Sequence, residues 1–113
     1  MITEKCALLV GIEHNGKVHF DVKLRPQKVG DAIEALENDR ARNNDSYLGL
    51  CVLAKQMVQL GDIPAAEITP ELLMELYETD MSVINEALRR LQVRLTSFRG
   101  ADKNASQADS GAA

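Results

Sequence analysis

The stretch LLVGIEHNGKVHFDVKLRP, residues 8–26, decides the fold. Val18, Phe20, Val22 and Leu24 alternate with Lys17, His19, Asp21 and Lys23, and Leu8, Val10 and Ile12 alternate ahead of them. Period-two patterning marks half-buried strands. Between the two runs, Glu13-His14-Asn15-Gly16-Lys17 reads as a hairpin turn. A two-residue Asn15-Gly16 loop pairs Ile12 with His19 and Val10 with Asp21, which mixes apolar and polar positions on both faces. A three-residue loop, His14-Asn15-Gly16, pairs Ile12 with Val18, Val10 with Phe20, Leu8 with Val22 and Cys6 with Leu24. It also places Gly16 where a G1 bulge needs positive φ. Because it makes one face wholly apolar, the three-residue loop is the expected register. The hairpin should cover about 5–25, and Pro26, which offers no ladder donor, closes it. A lone hairpin is marginal in water, so its apolar face must pack on something else.

After Pro26 the chain reads as helix. Gly30-Asp31 opens a segment of about 30–38, with Asp31 as N-cap, Ala32, Ile33, Ala35 and Leu36 on one side, and Glu34 and Glu37 on the other. Residues 38–45, NDRARNND, read as a polar loop. Asp45 or Ser46 should cap a helix over about 46–60 whose apolar residues run round nearly the whole circumference, the mark of a buried central helix. Gly61 and Pro64 stop it. Thr69-Pro70-Glu71 has the N-cap, proline-first, acidic-turn order and starts a helix of about 70–78; a last helix covers about 80–98. The sum is an α+β domain over 1–99: an N-terminal antiparallel hairpin packed on a bundle of about four helices. Residues 100–113 hold no large apolar side chain, so a disordered tail is expected there.

The 113 residues suit one domain, and 45% hydrophobic with 27% charged residues is ordinary for a globular protein. A net charge of −4 argues against a general nucleic-acid binder. Two cysteines do not make a disulfide framework; Cys6 and Cys51 read as inert core thiols. No apolar run reaches membrane-spanning length and the N-terminus lacks a signal-peptide layout, so a cytoplasmic protein is expected. His14, in the turn, and His19, on the polar side of its strand, read as solvated rather than as metal ligands. The glycines form no phosphate-binding spacing and no serine sits in a nucleophile elbow. Neither an enzyme nor a cofactor is expected.

The informative segment is the last helix. Met81, Ile84, Leu88, Leu91, Leu95 and Phe98 form a narrow seam at spacings of three and four, which suits packing on the second helix, of about 46–60, its far end being a candidate contact with another chain. Residues 28–80 carry four basic and eleven acidic groups, whereas 81–99 carry four arginines and only Glu86. The candidate protein-binding residues are therefore Arg89, Arg90, Leu91, Arg94, Leu95 and Phe98, with the arginines able to steer an acidic partner.

HFDVKLRPQKVGDAIEAL (His19–Leu36) resembles the strand, LRP and GD-helix opening of the bacteriophage tail assembly chaperones, the small tail assembly proteins of Mu-like and related phages. QLGDIPAAEIT (Gln59–Thr69) and LLMELYETDMSVINEALRRL (Leu72–Leu91) are similar to that family's second half, so the resemblance covers about residues 17–99. It implies a non-structural protein of the bacterial host cytoplasm that binds the tape-measure protein, helps the major tail protein polymerise around it, and is absent from the finished virion. It also implies a longer frameshifted form of the same product, with residues 100–113 as the end of the short one. The competing expectation is a small adaptor or regulatory module that binds another protein, or nucleic acid, through the basic final helix.

Overall fold

A computed structural model describes residues 2–106, with side chains as far as Ser97. Its elements are β1 (Glu4–His14), β2 (Lys17–Leu24), α1 (Val29–Ala35), α2 (Asp39–Arg42), α3 (Asp45–Gln56), β3 (Met57–Leu60), a 3-10 turn (Ala65–Glu67), α4 (Pro70–Leu73) and α5 (Glu78–Ser106). The architecture is α+β as expected, with the hairpin at its N-terminal end, but the sheet has three antiparallel strands in the order β1-β2-β3.

The turn differs from the expected one. Asn15 and Gly16 both have positive φ, 54° and 77°, and they form a two-residue type I′ turn with Ile12 opposite His19 and Glu13 opposite Val18. The mixing of polar and apolar positions is relieved farther on. Between Ala7–Asp21 and Ile12–His19, five steps along β1 match two along β2, so β1 carries a large bulge at residues 8–11. Beyond it Cys6 faces Val22 and Glu4 faces Leu24. Val22 and Leu24 are buried, whereas Val18 and Phe20 stay partly open over Gly11. A Cβ on Gly11 would lie 2.5 Å from Val18 Cγ1, and its φ of +89° already favours glycine.

The bulge is held from outside the sheet. Asp80, fully buried in the first turn of α5, accepts the backbone N–H groups of Leu9 (2.7 Å), Val10 (3.1 Å) and Gly11 (2.8 Å) through its two carboxylate oxygens. Three successive amides turned on one carboxylate form an anion nest. The carboxylate is the acceptor for those β1 donors that the bulge withdraws from the ladder with β2.

His19 is not solvated: it is 6% exposed opposite Ile12, and its Nδ1 accepts the Asp62 N–H at 3.2 Å. A side chain on Gly61 would overlap its ring, and Gly61 takes φ +55° there. His14 is also largely covered and lies 2.9 Å from Glu67.

The expected 46–60 helix stops at Gln56. Asn44, rather than Asp45 or Ser46, caps α3 by accepting the Tyr47 N–H, and after Gln56 the chain extends into β3, which pairs Leu60 with Val22 and Gln59 with Lys23. The change is made at Gln56, whose carbonyl accepts the Arg25 N–H at 2.8 Å while its side-chain amide donates to the Arg25 carbonyl. The free edge of β2 thus offers Met57–Leu60 backbone partners that compete with the helix, and either backbone buries Met57 and Leu60. The polar 38–45 segment contains α2, because the Asn38 side chain accepts the amides of Arg40 and Ala41. Thr69 caps α4 as expected, but α4 ends at Leu73, and α5 begins two residues earlier than expected. The helical backbone of α5 runs past Arg99 to Ser106; the remainder of the expected tail, 107–113, lies outside the described residues.

One core joins the sheet to α5: Leu8, Ile12, Val22, Leu24, Leu53, Met57, Leu60, Ile63, Ile68, Leu73, Ile84, Ala87 and Leu91. A smaller cluster of Ala35, Ala41, Tyr47, Cys51 and Val52 binds α1 and α2 to α3. The seam of α5 therefore packs chiefly on β1, rather than on α3, the second of the expected helices. Cys51 is buried and Cys6 half-buried, and burial pushes both thiols up.

Candidate interaction surface

The arginines singled out on α5 are turned to the chain's own carboxylates. Arg89 pairs with Glu86 one turn back on the same helix. Arg90 Nε donates to Glu4 at 2.9 Å, and Arg94 donates to Glu4 and to the Thr3 carbonyl, so two of them fasten the start of β1 to α5. These hydrogen bonds, from Arg90 first and then Arg94, hold the Glu4 carboxyl below the usual range. Leu91 is core at 2% exposure, Leu95 is half-buried, and the Phe98 side chain lies outside the described residues.

Because α5 leans on β1, it leaves a groove against α3. The groove has a volume of about 580 Å³, and its apolar walls are Leu48, Leu50, Val52 and Leu53 from the α3 side with Met81 and Leu88 from α5. Its polar lining is Gln27, Ser46, Gln56 and Asn85, none of them charged. A smaller extension lined by Pro26, Leu91 and Gln92 shares Gln27, Gln56 and Leu88 with it. Along α5 the two run from Met81 to Gln92, about 16 Å or three turns at the usual rise.

The third border is α1, which reaches the groove through Ala32. This helix is inverted. Its buried residues are Asp31 and Ala35, whereas Val29, Ile33 and Leu36 are 81%, 63% and 41% exposed. The cause is a fork: Arg25 Nη1 and Nη2 donate to the two Asp31 oxygens at 2.9 and 2.8 Å, and the Lys28 N–H adds 2.8 Å to the same carboxylate. Lys28 occupies the N-cap position, so Asp31 closes the first turn from inside the helix instead of capping it. Arg25 holds the Asp31 carboxyl down at about 2. Reading Ile33 and Leu36 as inward-facing missed this. The available signal was Arg25 six residues before an acid in the first turn of an otherwise apolar helix.

Among the described residues no three His, Cys, Asp or Glu side chains converge to hold a metal ion, and no helix is long and apolar enough to cross a membrane. Comparison with protein-family models, with curated proteins and with solved structures finds no match to this chain.

Proposed function

We propose that the chain is a non-enzymatic tail assembly chaperone that holds helical stretches of the tape-measure protein in the α3–α5 groove until the major tail protein polymerises around them. The observation that carries this reading is the groove itself: three turns long, aliphatic on both walls and uncharged in its polar lining. An amphipathic helix lays its apolar face in such a groove, and a wall containing Met81 adapts to more than one sequence. The order of sequence pieces across residues 17–99 supplies the phage context, and with it the host cytoplasm rather than the finished virion as the protein's setting. A longer frameshifted form of the chain would carry the same groove. An adaptor acting through the basic face of α5 is the poorer reading, because Arg89, Arg90 and Arg94 would first have to leave Glu86 and Glu4.

Co-expression with the tape-measure protein of the same locus tests the role. The tape-measure protein is expected to stay in the soluble fraction and co-elute with the chain, and Met81→Glu is expected to weaken that capture about tenfold. A tape-measure protein that is equally insoluble with and without the chain contradicts it.

A further inference from the structure

We propose that the outward stripe of α1 is the third wall of this groove, and that the cleft takes a single three-turn partner helix with an uncharged aliphatic face. The inference rests on the groove being a helix-binding site and adds where its boundary runs and what it accepts. Val29, Ile33 and Leu36 stand at i, i+4 and i+7, the spacing of one helical face, and Ala32, at the edge between that face and the buried Ala35 cluster, lines the groove. In a helix serving only the fold, those three side chains would point inward and Asp31 outward. Here Arg25 holds Asp31 inside, and the aliphatic face is left in water.

Shape selects a helix over the broad face of a second copy of the chain. The site is a groove of about 580 Å³ that runs along α5 from Met81 to Gln92, about three helical turns. Charge selects the kind of helix. The polar lining is Gln27, Ser46, Gln56, Asn85 and Gln92, and the nearby acids Asp31 and Glu34 are taken by Arg25 and Lys55. A charged group entering the groove would lose its hydration against a lining that holds no charged side chain.

The test uses the full chain and a fluorescein-labelled synthetic helix of about 14 residues, Leu and Ala on one face and Gln and Ser on the other, followed by anisotropy. Sister peptides carry Glu or Lys on the Leu face. The neutral peptide is expected to bind, and Ile33→Glu to weaken it about tenfold. Val29→Glu, at the most exposed of the three positions, should act in the same direction without touching the core. Val93→Glu, on α5 and 53% exposed, should change affinity less than about twofold. Circular dichroism checks that each variant keeps its helix content. Binding that survives both α1 variants but falls with Met81→Glu overturns the α1 wall and leaves the groove standing. No binding of any peptide overturns both. Equal binding of the charged peptides overturns the stated occupant, as does a dimer in sedimentation that Ile33→Glu dissolves.

Discussion

At the scale of residues, one ion pair determines which way a helix faces. The Asp31 carboxylate is almost closed off, and the Arg25 fork keeps it ionised well below the ordinary value of 3.8. A carboxyl whose folded value is depressed stabilises the protein fully above its unfolded value, and that contribution drains away as pH falls toward the folded one. The window here runs from about 3.8 down to about 2, and the shift corresponds to about 2 kcal/mol. Asp31→Asn is therefore expected to cost about that much in urea unfolding at neutral pH, with the gap to the parent closing as the buffer is taken through this window. A gap that stays constant with pH shows that the loss came from packing instead. Sequence alone shows Arg25 and Asp31 but not their meeting, since Asp31 in a first helical turn is equally well explained as an N-cap.

At the scale of elements, the hairpin, the Thr69-Pro70 start of α4 and the apolar α3 were legible because their signals are local: alternation, a cap, a run. The register of the hairpin was not, because its cause lies some seventy positions away. Asp80 draws the amides of Leu9, Val10 and Gly11 out of the β1–β2 ladder, and the resulting bulge permits the type I′ turn that simple pairing argues against. The helix-to-strand change after Gln56 was hidden for a related reason: Met57 and Leu60 are apolar in either backbone, and only the free edge of β2 chooses between them. Asp80→Asn keeps the shape but sets an NH2 among N–H donors. It is expected to cost about 3 kcal/mol by chemical denaturation, since a buried group loses its partners. A loss under about 1 kcal/mol shows that the bulge holds itself without the carboxylate.

At the scale of the whole molecule, the α5 seam legible in the sequence turned out to be mostly interior, with Ile84, Ala87 and Leu91 in the sheet core. The arginines beside it fasten the N-terminal strand. Displacing α5 toward β1 opens the groove against α3, and the inverted α1 borders that groove. No local sequence pattern announces such a cleft, because its walls come from three helices and its orientation depends on the Arg25–Asp31 and Asp80 contacts. We propose that this cleft, rather than the arginine face, receives the partner helix. Hydrogen exchange of the chain, alone and co-purified with the tape-measure protein, tests it most directly. Slowed exchange is expected over α1 and over Met81–Gln92, with the Asp80-bound amides of Leu9, Val10 and Gly11 unchanged. A footprint confined to β1 and the Arg90–Arg94 side of α5, or no change at any amide of the co-purified chain, contradicts it.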